Sequence, residues 1–586
     1  MLSSKREEIY LMGVQIKSEI SDVEWCDGFT ITSNGNLIAS WNEKKSVSLK
    51  VIEDNKEYKL ISNCDYNQLF PVANSNFVAY YIETEEGFKL CCYDIQESKV
   101  YYPVDSCTPR PYNIVTFKNE YLITTNINPN QSVTLNLLHY KEPALSKVLI
   151  DLPKSHLWFD ASPYVSEDGE LFFIKRHNEI NSPTANLYSL NLKETNPCEC
   201  LIYKGTKTEM PIKSNVSPCN TKIICLVKTN KNIKAKIIDN SSRNIEELKT
   251  PSLRDIPIWY PNSNNKLLLT LDEWPYANFA MYDLAKGEIG KINFLSNLNT
   301  LSPQFYKEKL YFLAMGPGHP LAIYQTDTEF KNFHKITNNS SDVLVPNAEV
   351  VNIPTANNYS LPCILYRSNK RSKKIVFMFH GGPAGCWQAG WSPVVDNLLC
   401  NDINVLLINT RGSTIKEHYL PQLKPGEFGS KDVEDIQYCI QYCYENNLAA
   451  LGSIGTYGHS YGSYLAVSSA IQYKEHISSC VITSGFIHPS LLWKSNDKAV
   501  VNFAKYAFLN ELESPKEKIS LCPILQVHGE SDQQLQIKTS KKAFDNLISC
   551  KKSSFIELKG EGHVFRSKEN IEYWINRATY HFLENL

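Results

Sequence analysis

Ser460 stands between two glycines in "GHSYG", residues 458 to 462. A serine hydroxyl is a poor nucleophile at neutral pH. It needs a base beside it, and the base needs a third group to orient it. Two later segments supply such groups. "HGESD" (528–532) carries the acids Glu530 and Asp532, and "GEGHVF" (560–565) carries His563. A loop or capping histidine is the plain alternative for His563, and His528 reads as structural. Acyl transfer also needs N–H donors for the oxyanion. The Tyr461 N–H follows the serine directly. In "HGGP" at 380 the Gly382 N–H is the expected second donor, with Gly381 as the alternative.

These residues need elements to hold them. From about residue 345 the chain alternates apolar runs of strand length with helical patterns. The runs are "KIVFMF", "INVLLIN", "SIGTY", "CVIT", "ILQV" and "FIEL". Near-continuous apolar strands predict a parallel sheet buried on both faces, and the alternation predicts a doubly wound α/β domain over 345–586. Ligands in such sheets bind at the carboxyl ends of strands. "HGGPAG", "TRGST", Gly458-His459-Ser460, "HGESD" and "KGEGHVF" all follow strand runs. Ser460 sits between the strand "SIGTY" and the helical "SYLAVSSAIQY", where glycines at 458 and 462 would relieve a sharp turn. The order Ser460, carboxylate, His563 is that of an α/β-hydrolase.

The region 26–340 has another texture. A polar turn leads into an apolar strand and a partner strand, and the pair recurs. The first apolar residues are Leu37, Phe77, Tyr121, Leu171, Ile223, Leu267 and Leu310, at spacings of 40, 44, 50, 52, 44 and 43. Seven units of this length predict a seven-bladed β-propeller. A pair of β-sandwiches is the alternative. Residues 1–25 precede the first blade, and Ile9, Met12, Ile16 and Ile20 predict a helical segment there.

Composition limits the function classes. The chain has 586 residues, too many for one core, and a net charge of −2. The charge gives no reason to expect nucleic acid or an anionic membrane as partner. The basic run "RSNKRSKK" reads as a solvated loop. No apolar run reaches the ~18 residues of a membrane span, and the first residues lack the pattern of a secretory signal. The 17 cysteines are odd in number and form no C-x-x-C pair, which points to a reducing, cytoplasmic setting. Cys439 and Cys443 fall on a helical apolar face and read as packing. No metal or cofactor is expected.

Five motifs occur in the order known from one family: "HGGP" at 380, "NTRGS" at 409, "GHSYG" at 458, "HGESD" at 528 and "GEGH" at 560. Together they resemble the prolyl oligopeptidase family of serine peptidases, most closely its acylaminoacyl-peptidase branch. The resemblance implies a propeller joined to an α/β-hydrolase domain, and it favours Asp532 over Glu530 as the orienting acid. It implies that Ser460 attacks a peptide carbonyl, that His563 moves the proton, and that the propeller admits only short peptides. It leaves a homo-oligomer open. An acyl-transfer, cyclising or tailoring hydrolase for a peptide natural product or ester is the second functional reading, and a non-catalytic propeller scaffold the third. In the family the residue preceding the scissile bond (P1) is held after the sixth hydrolase strand. Phe486, Trp493 and Phe503 are the aromatics expected to line that pocket, with core packing of all three as the alternative. Arg411 is a candidate substrate contact, or else pairs internally with an acid near Asp432 or Asp435. The chain departs from the family after "HGESD", where "QQLQ" stands in place of a Val-Pro pattern.

Overall fold

The computed structural model describes residues 25–586 except 33, 43–46, 54–55, 62–67, 85, 109–113, 119, 128–132, 153–156, 178–183, 230–232, 293–296, 338–347, 369–370, 416–419, 496, 511–517 and 520–521. The helical segment expected at the N-terminus lies outside the described residues.

Between Trp25 and Lys335 the strands form seven separate four-stranded sheets, each built from consecutive antiparallel strands. The repeat legible in the sequence is the middle pair of each blade. Leu37, Phe77, Tyr121, Leu171, Ile223, Leu267 and Leu310 lie on the second strand of their blades, not the first. The outer strands are often short, such as Lys99–Tyr101 and Ile245–Glu247, and partly or wholly exposed, so no strong apolar pattern marks them.

Apolar packing between neighbours joins the blades. Phe172 and Leu187 of the fourth blade pack with Ile223 and Cys225 of the fifth. Leu226 and Ile237 of the fifth pack with Leu267 and Leu269 of the sixth. The ring closes where Phe29, Leu37 and Trp41 of the first blade pack against Tyr311, Leu313 and Ile323 of the seventh. Gln304 Nε2 also donates to the Phe29 carbonyl, at 3.1 Å.

From the second blade to the seventh a recurring polar residue turns the third strand into the fourth. The carboxylates of Asp94, Asp239, Asp283 and Asp327 accept backbone N–H groups two or three residues on, at 2.7–3.0 Å. The Asn191 side chain does the same, and in the third blade His139 Nδ1 takes that place. This local bond is why a short polar side chain suits a turn. Serine and backbone N–H groups hold the Asp239 carboxyl low, at about 2.

The second domain is one eight-stranded sheet. Its spatial order is Ala348–Pro354, Ser360–Tyr366, Asn404–Ile408, Ile375–Phe379, Ile454–His459, Ile477–Thr483, Ile524–Gly529 and Ser554–Leu558. The last six are parallel, as their apolar runs predict. The first two form an antiparallel hairpin on the edge, which the sequence reading did not include. Along Ile375–Phe379 alternate residues serve opposite faces. Ile375, Phe377 and Phe379 join the core under helix Tyr461–Gln472, and Val376 and Met378 join the core under helix Lys568–Asn585. Burial on both sides leaves the parallel strands no polar face.

Loop 384–392 docks this domain on the propeller. Trp274 Nε1 donates to the Trp387 carbonyl at 2.8 Å, and the Ala389 N–H donates to Pro275 O at 3.0 Å. Asn299 Nδ2 reaches the Ala389 carbonyl. Among the described residues no helix is long and apolar enough to cross a membrane.

Candidate active site

Ser460 caps helix Tyr461–Gln472 with φ 56° and ψ −121°. A non-glycine residue at positive φ is strained, and such strain persists only where neighbours enforce it. The neighbours here are specific. The Ser460 N–H donates to Thr483 O on the next strand at 3.1 Å. A Cβ on Gly458 would lie 2.0 Å from Gly462 O, and one on Gly462 would lie 2.3 Å from Phe379 O. Both glycines are required by close backbone approach on either side of the serine.

His563 Nε2 lies 3.1 Å from Ser460 Oγ, and its Nδ1 lies 2.9 Å from Asp532 Oδ2. With the Nδ1 proton donated to the carboxylate, Nε2 is left to accept the serine proton. Asp532 Oδ1 accepts the N–H groups of Gln534 and Leu535, both at 2.9 Å. Burial alone would raise the Asp532 pKa. The charge of His563 and the hydrogen bonds from His528 and His563 override it and hold the carboxyl well below the usual range. Asp532 is therefore a carboxylate at neutral pH, able to orient and stabilise an imidazolium. Glu530, the competing acid, instead accepts the Gly560 N–H at 3.2 Å. His528 is fully buried. Its Nε2 donates to Leu535 O at 2.7 Å and lies 3.2 Å from Asp532 Oδ2, so it braces the acid's loop.

The glycine loop lies beside the serine. A Cβ on Gly381 would come within 3.2 Å of Ser460 Cβ, and Gly382 has φ +132°, which favours glycine. His380 fixes this loop: its Nε2 is 2.8 Å from Ser413 Oγ of the "NTRGS" segment. Asn409 of the same segment accepts the Trp387 N–H at 2.6 Å and donates to Pro362 O at 3.0 Å. These bonds tie two loops to each other and to strand Ser360–Tyr366. The Tyr461 side chain turns away from Ser460, and its hydroxyl donates to Asp432 Oδ2 at 2.5 Å. Burial pushes the Asp432 carboxyl up to about 6, against the lowering effect of that bond.

Arg411 is engaged inside the protein. Its Nη2 donates to Asp435 Oδ1 at 2.6 Å, and its backbone N–H donates to Asp435 Oδ2 at 2.9 Å. Tyr359 donates to the same fully buried carboxylate. The guanidinium is thus spent on the internal pair weighed as its alternative, which orders the "NTRGS" loop; direct substrate contact is not what this geometry favours.

The three aromatics divide in their surroundings. Phe486 is 2% exposed and stacks on Tyr464, a core wall rather than an open lining. Trp493 and Phe503 are only partly buried, and both pack on Phe508. Phe503 also meets Phe428 and Tyr461 edge to face. Phe428, Tyr464 and Phe508 were missed by the sequence reading. Tyr464 follows the serine motif by one helical turn and could have been found by that spacing. Phe428 lies in a distant loop that nothing local connects to the serine.

Residues 396–586 match the model of the prolyl oligopeptidase family. Among curated proteins, acylamino-acid-releasing enzyme of Sus scrofa is 30% identical over 138 residues, 23% of this chain and 19% of that enzyme. The Mus musculus enzyme is 26% identical over 216 residues, 33% of this chain and 29% of that enzyme. The aligned stretch thus spans less than a third of either relative. Over the whole fold the chain is similar to a Mycobacterium tuberculosis puromycin-hydrolyzing peptidase, with TM-score 0.79, 12% identity and coverage of 98% and 97% of the two chains. It is likewise similar to Pyrococcus horikoshii acylaminoacyl peptidase, with TM-score 0.70, 13% identity and coverage of 97% of each. The motif order and the family match agree over residues 396–586, which are similar to the prolyl oligopeptidase family, and the joined propeller and α/β sheet share the fold of the two structures named.

Proposed function

We propose that this protein is a serine peptidase that cleaves short peptides through an acyl-enzyme on Ser460. His563 takes the hydroxyl proton as Ser460 attacks, then gives it to the leaving amine. Asp532 holds the imidazole in the required tautomer. Tyr461 N–H and Gly382 N–H receive the oxyanion, with Gly381 as the alternative for the second. The observation that carries this reading is the unbroken line Ser460 Oγ, His563 Nε2, His563 Nδ1, Asp532 Oδ2, with its two links at 3.1 and 2.9 Å.

Limited access for large substrates is supported by the propeller's reach. Gln533, next to Asp532, donates from Nε2 to Thr84 O of the second blade at 3.1 Å. A blade hairpin therefore abuts the loop of the proposed acid. Acylaminoacyl preference is suggested by the relatives named above. Cyclising acyl transfer is the second reading. A structure of similar fold, TM-score 0.74 at 11% identity, is Galerina marginata prolyl oligopeptidase B bound to a hydrolysis and macrocyclization substrate. Hydrolysis and cyclisation differ in whether water or an amine resolves the acyl-enzyme.

The experiment is incubation with a peptide library, free and N-acylated, followed by mass spectrometry, with Ser460→Ala as control. Linear fragments made by the wild type and not by the variant are expected. Cyclic or ligated peptides, formed when an amine resolves the acyl-enzyme so that no water is added to the products, would favour the second reading. No product from either chain would contradict both.

A further inference from the structure

Glu561 lies two residues before His563, within "GEGH". It is 0% exposed. Its Oε2 accepts the Arg566 N–H at 2.8 Å. Its Oε1 accepts the Ser567 N–H at 3.0 Å and Asn570 Nδ2 at 2.9 Å. All three donors come after His563, on the chain that leaves the histidine and enters helix Lys568–Asn585. The side chain therefore bridges the turn from one side of His563 to the other.

The backbone of the same residue does a second job. Glu561 O accepts the Ser531 N–H at 2.9 Å, and Ser531 adjoins Asp532. The two turns touch closely here: a Cβ on Gly529 would lie 2.2 Å from Gly562 O and 2.5 Å from Glu561 O. So the histidine's turn is closed by the Glu561 carboxylate and seated on the acid's turn by the Glu561 carbonyl.

We propose that Glu561 is a positioning residue, whose buried carboxylate fixes the 561–570 turn so that His563 stays in line between Ser460 and Asp532. Physical chemistry favours a carboxylate in this place. Hydrogen bonds to an ionised acceptor are about twice as strong as neutral ones. The start of an 18-residue helix also favours a negative charge. A neutral side chain would leave the N–H of Arg566 or Ser567 without this acceptor, which loosens the turn. A base displaced by about 1 Å loses about 10²-fold in rate.

This inference rests on the reading of Ser460, His563 and Asp532 given above, and the test separates the two. Glu561→Gln and Asn570→Ala are compared with wild type in kcat, KM, thermal stability and the pH profile of fluorophosphonate labelling. Glu561→Gln keeps the shape but can no longer accept at both ends. Its kcat is expected to fall about 10- to 100-fold with KM within about twofold, and labelling to slow in the same ratio. Asn570→Ala removes one donor and should lower kcat a few-fold, with KM unchanged. A folded Glu561→Gln with wild-type kcat and labelling profile overturns the proposal. If Glu561→Gln fails to fold, wild-type kcat in Asn570→Ala overturns it instead. Wild-type labelling at Ser460 that ignores Glu561→Gln refutes this inference alone, whereas absence of labelling at Ser460 in wild type refutes the triad reading beneath it.

Discussion

The two domains place their polar groups in opposite ways. In the propeller the side chains that turn the third strand into the fourth act locally, although a few, such as Tyr140 donating to Asp94 at 2.6 Å, cross between blades. Asp239 and Asp327 each bond N–H groups of their own turn, two to four residues away. What joins one blade to the next is mainly apolar packing, as in Phe172 against Ile223. In the α/β domain the buried polar side chains bond across the sequence. His563 reaches 31 residues back to Asp532 and 103 back to Ser460, and His380 meets Ser413 33 residues away. A repeat built from local bonds tolerates variation blade by blade. A site built from distant bonds depends on every loop at the sheet end. Damage should therefore separate cleanly: stability without chemistry in the propeller, chemistry without stability at the sheet end.

The largest effect should come from the acid. Asp532→Asn is expected to lower kcat by about 10⁴-fold while the fold persists, because the neutral amide presents the wrong tautomer partner. Single-turnover kinetics and circular dichroism read the two quantities. Next is the packing between the fourth and fifth blades. Phe172→Ala removes a fully buried ring and should cost about 3–5 kcal/mol in denaturant unfolding, with kcat unchanged in the protein that remains folded. A parallel loss of kcat would show that the two domains are not separable in this way.

A smaller effect concerns pH. The Asp432 carboxyl is pushed up to about 6 in the folded chain, chiefly by burial, against an ordinary value of 3.8. An acid with a raised folded pKa favours the folded state while protonated. Its contribution is present below about pH 4 and is lost as the pH rises through 6. About two units correspond to roughly 3 kcal/mol over that window. Asp432→Asn should flatten the fall in thermal stability between pH 4 and 6; an unchanged slope would contradict the burial argument. The smallest effect is specificity. Trp493 and Phe503 are among the partly buried aromatics near the serine helix, so an apolar or aromatic P1 residue should be preferred. Lys or Arg would be disfavoured, since its charge would lose water without a partner. The difference should be about 10- to 200-fold in kcat/KM across a chromogenic series. A preference for basic P1 would place the pocket elsewhere, for instance on acidic propeller loops.

The sequence disclosed the parts of each domain that repeat or alternate. The middle strands of every blade were visible because both are largely buried, as in "KIICLVKT" with Ile224, Cys225, Leu226 and Val227 inside. The outer strands were not, since Ile245–Glu247 is exposed throughout. Ser460, Asp532 and His563 were legible because strand ends are where such sheets bind ligands. The edge hairpin Ala348–Pro354 and Ser360–Tyr366 was not, because the two strands lie antiparallel before the alternation begins. Glu561 escaped notice for a different reason. Two of its donors are backbone N–H groups, and no residue pattern announces those. Arg411 carried two readings because a strand-end arginine can face a substrate or an internal acid. Only the fold decides that Asp435 lies against it.

The central claim is that Ser460 is a nucleophile activated by His563. Reaction of the full chain with a fluorophosphonate, followed by peptide mapping, tests it most directly. The account predicts a single stoichiometric adduct on Ser460 that is lost in Ser460→Ala and strongly slowed in His563→Ala. An adduct on another residue, or an unlabelled Ser460 in a folded wild-type chain that still cleaves peptides, would contradict it.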